Sequence, residues 1–239
     1  MKDRPLLQKV AVVTGASRGI GLAIAEALAA AGCSLALCSR KVRFIPEQDI
    51  ANRNGVRVLV HECDVRSEES VADFFRSVQN RYTTIDFLIN NAGTTHPVAT
   101  IDSLSLENWR DSIETNLNGL FLCTRASLPI LNNGGAIVNN LSVAAKTAFP
   151  GEAAYIASKH GAKGFTDTLR EELRPRGIRV IGLIPGATDT DMWNTFWPDA
   201  QREKMMAPDT VAEALVQVLS LPQNATVEEL VIAPTGGRL

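Results

Sequence analysis

The chain has 239 residues, 45% of them hydrophobic and 21% charged, with a formal net charge of -2 at pH 7. Those proportions describe a soluble globular chain with a sizeable core. The near-neutral balance, without a clustered Lys/Arg run, argues against a nucleic-acid partner. The opening stretch MKDRPLLQKVAVVTGAS is charged, and its short apolar run is broken at Gly15. It reads as neither a secretory signal nor a membrane span, so a cytoplasmic protein is expected.

KVAVVTG is a short β-branched run ending in a turn, and IGLAIAEALAAAG follows with helical periodicity and a stop at Gly32. CSLALCSR reads as a second strand. KVRFIPEQDIANRNG should be helical, but Pro46 demands a late start or a kink. VRVLVHECDV is a third strand, SEESVADFFRSVQNRY an amphipathic helix and IDFLINNAG a fourth strand. SLENWRDSIETNLNGLFLCTRASLPIL is a long helix, and GAIVNNLS is a fifth strand that ends at Ser142. AAYIASKHGAKGFTDTLREELRPRG is another long helix, closed by Pro175 and Gly177. IRVIGLIPG is a sixth strand, APDTVAEALVQVLSLP a helix and EELVIAPTGG a last strand. Strand and helix alternate, and the strands are continuous apolar runs, as burial on both faces requires. The expected fold is α/β: a single-domain, doubly wound parallel sheet of the Rossmann type over residues 1–239.

The four cysteines, Cys33, Cys38, Cys63 and Cys123, form no CxxC pair, and the three histidines are scattered. Buried free thiols are expected, and no metal site.

TGASRGIG, residues 14–21, joins the first strand to the first helix. Gly15, Gly19 and Gly21 let backbone approach a pyrophosphate, and the helix N-terminus offers free N–H groups. The spacing departs from the common G-x-G-x-x-G fingerprint. Further on, Tyr155 and Lys159 lie four apart, on one face of a helix. A phenol near pKa 10 is a poor acid at neutral pH, and a neighbouring ammonium would lower that value.

The glycine loop resembles the cofactor signature of the short-chain dehydrogenase/reductase family, and the other family motifs follow in order. They are NNAG at 90–93, Asn116, Ser142, Tyr155 thirteen residues later, Lys159, and PGATDT at 185–190. The resemblance implies an NADP(H)-dependent oxidoreductase acting on a small carbonyl or alcohol. In that family Tyr155 would donate the proton, with Ser142 holding the substrate carbonyl. Lys159 would bind the nicotinamide ribose, and Asn116 would hold a water in a proton relay. It further implies cofactor contacts from Gly15, Ser17, Arg18, Gly19, Ile20 and Gly21 in the first loop. Asp64, Val65, Asn91, Ala92 and Gly93 would meet the adenosine side, with Asn90 beside them. Pro185, Gly186, Thr188 and Thr190 would close the nicotinamide side. The second strand ends in Ser39 and Arg40 with no acid before Glu47, which favours a 2′-phosphate over a free ribose hydroxyl. Asp64 would otherwise be a turn or cap residue.

Trp193, Phe196 and Trp197 would form an apolar lid or a subunit contact, and Phe149 and Glu152 precede Tyr155 closely enough to reach a pocket. The family suggests a homo-oligomer, a dimer or homotetramer. Two rivals stand beside a generic carbonyl reductase. One is a 3-oxoacyl carrier-protein reductase, which the front half resembles and the tail does not. The other is a non-catalytic NADPH-binding sensor or scaffold.

Overall fold

Residues 4–237 are described by the computed structural model. β1 (Val10–Thr14), β2 (Ser34–Ser39), β3 (Val58–Glu62), β4 (Ile85–Asn90), β5 (Leu131–Asn140), β6 (Arg179–Pro185) and β7 (Glu229–Ile232) form one sheet. Its order is β3-β2-β1-β4-β5-β6-β7. Every pairing between these strands is parallel.

Alternation along β1 explains why the sheet must be covered on both sides. Val13 packs with Ile24 and Leu28 of α1 (Gly19–Ala30) and with Val211 and Leu215 of α8 (Pro208–Leu219). Its neighbour Val12 belongs to the opposite core, with Phe74 and Val78 of α3 (Glu68–Tyr82) and Leu169 of α6 (Ala153–Leu173). Successive side chains of a strand point to opposite faces, so each core takes alternate residues.

Two predicted helices differ in detail. Pro46 delays the second: a 3₁₀ turn at Val42–Phe44 precedes α2 (Glu47–Asn54). The long helix is interrupted. α4 (Leu106–Ile113) and α5 (Gly119–Ser127) are joined by a π-turn at Glu114–Asn118. There the Gly119 N–H reaches back five residues to the Glu114 carbonyl, a widened turn common at functional sites. The fifth strand ends at Asn140 rather than Ser142, which instead opens a 3₁₀ turn at Val143–Ala145 and accepts from the Ala144 N–H at 3.1 Å. The stretch after β6 contains a short helix, α7 (Met192–Phe196), that hydropathy did not reveal.

A chain of buried amides and hydroxyls crosses the middle of the sheet. Asn90 Nδ2 donates to Thr124 Oγ1 and to Asn139 Oδ1, both at 2.9 Å, and Asn139 Nδ2 donates to Thr166 Oγ1 at 2.9 Å. Asn90 is therefore held under α5, against Asn139, and does not line the cofactor side where the motif had suggested it.

Candidate active site

The order of the strands reverses around β1, and crevices for ligands open at such points beyond the carboxyl ends of the strands. A cleft of about 1500 Å³ lies there. Into it the structure brings the first loop (Gly15, Ser17, Arg18, Gly19, Ile20, Gly21) and the end of β2 (Ser39, Arg40). Asp64, Val65, Asn91, Ala92 and Gly93 form its next wall. Ser142, Tyr155 and Lys159 follow, with Pro185, Gly186, Thr188 and Thr190 opposite. Asn116 and Asn90 are the predicted residues that do not line it.

The glycines of the first loop are required by packing as well as by any ligand. A Cβ on Gly15, whose φ is +66°, would sit 2.8 Å from Ala92 Cα, and one on Gly21 would collide with the Asn91 amide. Asn91 clamps the loop: its Nδ2 donates to the carbonyls of Thr14 at 3.0 Å and Gly15 at 3.2 Å, and its Oδ1 accepts from Asn140 Nδ2 at 2.8 Å. Thr14 Oγ1 accepts from the N–H groups of both Asn91 and Ala92 at 3.0 Å. α1 has no acidic residue in its first turn and no side-chain cap, so its N-terminus retains open donors and a positive dipole end. Glycine backbone, open N–H groups and two guanidinium groups together suit a nucleotide carrying phosphate.

At the β2 end, Ser39 is buried, and its hydroxyl oxygen accepts from the Lys41 N–H at 3.1 Å, which leaves its proton to donate. Arg40 has no hydrogen-bond or ion-pair partner among the described residues, whereas Arg18 faces Asp191 at 3.5 Å. Asp64 lines the cleft, but its carboxylate is already held by Arg66 at 2.6–3.1 Å, and Arg66 also reaches Asp111 at 2.8 Å. That guanidinium holds the Asp64 carboxyl below its ordinary range. Val65 packs against Gly119 so closely that a Cβ there would lie 2.7 Å from Val65 Cγ2.

At the other end, Lys159 is buried and donates to the Asn140 carbonyl at 2.8 Å. Burial lowers its ammonium to about 8. Tyr155 departs from the simple expectation that the lysine would acidify it. Burial pushes its phenol up to about 12; the Ser142 hydroxyl pulls the other way, and the charge of Glu152 adds to the rise. The Lys159 ammonium stands 5.7 Å from the Tyr155 ring centroid and is turned towards the Asn140 carbonyl, so desolvation wins.

Asn116 lies behind these groups in the π-turn. Its Oδ1 accepts from the Thr94 N–H at 2.8 Å, and its Nδ2 donates to the Thr94 carbonyl at 3.0 Å and to Ser158 Oγ at 2.9 Å. Both amide protons are used, so the side chain ties the loop after β4 to α6.

Trp193, Phe196 and Trp197 line the mouth, with the Trp193 indole donating to the Thr188 carbonyl at 2.8 Å. Sequence reasoning missed the parts played by Asn140 and Thr14. The order NN in the fifth strand and the Thr before the first glycine were the available signals.

The Lys159 shift has a measurable consequence. Between about pH 8 and the ordinary lysine value of 10.5, the unfolded chain binds the proton that the folded chain has released, so stability rises with pH there. Below about 8 both states are protonated, and the full cost of burying the ammonium is present. Lys159→Met should therefore be more stable than the parent at pH 7, by on the order of 1–2 kcal/mol after the loss of the Asn140 hydrogen bond. The gap should close by pH 10. Thermal melts of both proteins across that range check it, and a gap that is constant with pH would refute it.

The short chain dehydrogenase family model matches residues 9–201. A 3-oxoacyl-[acyl-carrier-protein] reductase of Synechocystis sp. is 38% identical over 191 residues, covering 78% of this chain and 77% of that protein. Farnesol dehydrogenase of Aedes aegypti is 32% identical over 240 residues, covering 95% and 96%. Among solved structures, an alcohol dehydrogenase of the archaeon Thermococcus sibiricus, complexed with 5-hydroxy-NADP, is 35% identical with a TM-score of 0.90. That likeness covers 97% of this chain and 98% of the archaeal one.

Proposed function

The chain belongs to the short-chain dehydrogenase family, and on that premise we propose that it is an NADP(H)-dependent oxidoreductase interconverting a small carbonyl compound and its alcohol. The observation that carries this reading is the convergence of Ser142, Tyr155 and the buried Lys159 on one wall of the cleft that also holds the glycine loop and Arg40. A sensor or scaffold would need only the loop end.

The glycine loop and the N-terminus of α1 would take the pyrophosphate, and Ser39, Arg40 and Arg18 the 2′-phosphate. Asp64, with the lone pairs Arg66 leaves free, and Val65 would meet the adenine. When bound, the nicotinamide supplies the hydride. Ser142 donates a hydrogen bond to the substrate carbonyl, and Tyr155 gives its proton to the developing alkoxide. A phenol held up to about 12 is fully protonated at neutral pH, which suits proton donation in the reductive direction. Lys159, on the same wall, would bind the ribose hydroxyls and offer a positive charge to the phenolate left behind. Asn116 acts as a positioning residue for the loop and for α6.

The whole described chain forms one sheet with its two covers, which supports a single domain. Leu106, Trp109 and Phe121 lie exposed along α4 and α5, which supports an interface between copies of this chain in a dimer or tetramer. Three aromatics at the cleft mouth support a lid. A generic carbonyl substrate is preferred to a 3-oxoacyl carrier-protein substrate, and the likeness to a 3-oxoacyl-[acyl-carrier-protein] reductase supports the second reading. A panel of simple ketones, 3-oxo esters and 3-oxoacyl thioesters, followed by loss of NADPH absorbance, separates them. Turnover of the ketones and esters above the thioesters is expected. Preference for the thioesters would favour the carrier-protein reading, and no turnover of any would leave the sensor.

A further inference from the structure

Glu152 has no task in the reaction above. It stands just ahead of α6, three residues before Tyr155, and lines the cleft. It is 6% exposed. Its carboxyl group has no hydrogen-bond or ion-pair partner among the described residues. The residue is largely buried and its carboxyl group opens only onto the cleft, where a ligand group would supply the partner the protein does not.

The chain is shaped to aim it inward. Gly151 adopts φ +83°, its carbonyl accepts from the Ala99 N–H at 3.0 Å, and a Cβ at this position would lie 2.5 Å from Val98 Cγ1. The turn is thus pinned from outside by the loop after β4, and the next side chain faces the cleft. Phe149, Pro150 and Trp193 line the cleft with it and offer no charge. The Lys159 ammonium is engaged by the Asn140 carbonyl. Arg18, Arg40 and Lys41 belong to the glycine-loop end.

We propose that Glu152 is a specificity subsite that takes a hydroxyl group of the substrate, one or two carbons from the reacting carbon. The preferred substrates are then α-hydroxy ketones and 1,2-diols rather than simple ketones. The inference rests on the oxidoreductase reading for which carbon reacts. The distance follows from the site: Glu152 caps α6 three residues ahead of Tyr155, on the same cleft, close enough for its charge to act on the Tyr155 phenol. A hydroxyl suits the site because it donates to a carboxylate and accepts from a carboxylic acid. Burial raises the Glu152 carboxyl to about 7, so both forms are present near neutrality and either one is satisfied. A substrate carboxylate would instead meet repulsion from the ionised form. A site built to bond a hydroxyl also rejects the analogue that lacks it, since its own polar group is then left unpaired.

The test compares 1-hydroxy-2-butanone with 2-butanone, using NADPH, in the wild type, Glu152→Leu and Glu152→Gln. In the wild type, kcat/KM for the hydroxy ketone should exceed that for 2-butanone at least about tenfold, the effect of one hydrogen bond to a charged group. The Leu variant should bring the ratio close to one, and the Gln variant should keep part of it. A ratio unchanged by Leu, or a parallel fall on both ketones, would overturn the subsite. Calorimetric binding of 1,2-butanediol and 2-butanol, with NADPH present, reads the same subsite without turnover. A diol preference that Leu removes, in a protein that reduces no ketone, supports the subsite and overturns the oxidoreductase reading alone. Equal binding of the two alcohols by the wild type overturns the subsite.

Discussion

Tyr155→Phe should lower kcat by at least about 100-fold, and by up to ~10⁴-fold, while cofactor affinity stays near that of the parent. The ring remains to pack against its surroundings, so the change removes one oxygen from the wall of the cleft. With it goes the group that the Ser142 hydroxyl faces and the charge of Glu152 acts on. Ser142 can still hold a carbonyl, but no group remains to give it a proton. Single-turnover absorbance traces with saturating NADPH, beside a titration of cofactor fluorescence, separate chemistry from binding. Near-normal turnover would remove Tyr155 from the mechanism. Lost cofactor binding would mean that the substitution had damaged the cleft.

The second large effect is cofactor choice. No acid stands at the end of β2 to bind a ribose hydroxyl and repel a phosphate. Ser39 keeps a proton to donate, and the Arg40 guanidinium has no partner to give up among the described residues. Each charge-assisted hydrogen bond is worth about 1.5–3 kcal/mol. Arg40 and Arg18 are exposed, so screening takes part of that. The net preference should still be about a hundredfold in kcat/KM for NADPH over NADH. Arg18 should matter less than Arg40, because its weak pairing with Asp191 at 3.5 Å must first be broken. Ser39→Asp combined with Arg40→Ala should shrink or reverse the ratio. Initial rates with both cofactors decide it: equal use by the wild type, or an unchanged ratio in the double variant, would sink the assignment.

The architecture was largely legible because short, continuous apolar runs alternated with helical periodicity along the chain. A Gly or Pro at most helix ends left little freedom, and Pro46 delayed α2 as its missing N–H requires. The residues that line the cleft were legible for a different reason: the family motifs mark them, in loops at strand ends and, for Tyr155 and Lys159, on one face of α6. What was hidden depended on contacts between distant segments. Nothing local distinguishes Asn90 from Asn91, yet one is held under α5 and the other clamps the glycine loop. The π-turn at Glu114–Asn118 has no compositional mark, and within it Asn116 bonds across the chain to Thr94 and Ser158. The direction of the Tyr155 shift was also out of reach. It turns on the balance between burial and a charge whose orientation only the packed cleft defines.

The amide chain across the sheet bears on how this strand pairing is chosen at all. Sliding β4 along β5 by one residue would turn apolar side chains to the wrong faces and be rejected at once. Sliding it by two restores the faces, so hydrophobicity is nearly blind to that error. In the native pairing Asn90 stands opposite Asn139. A two-residue shift would part them and leave amides buried without partners, at about 1–3 kcal/mol for each group. The four polar residues Thr124, Asn90, Asn139 and Thr166 therefore work as a ruler, telling apart two alignments that oil alone would treat as equal.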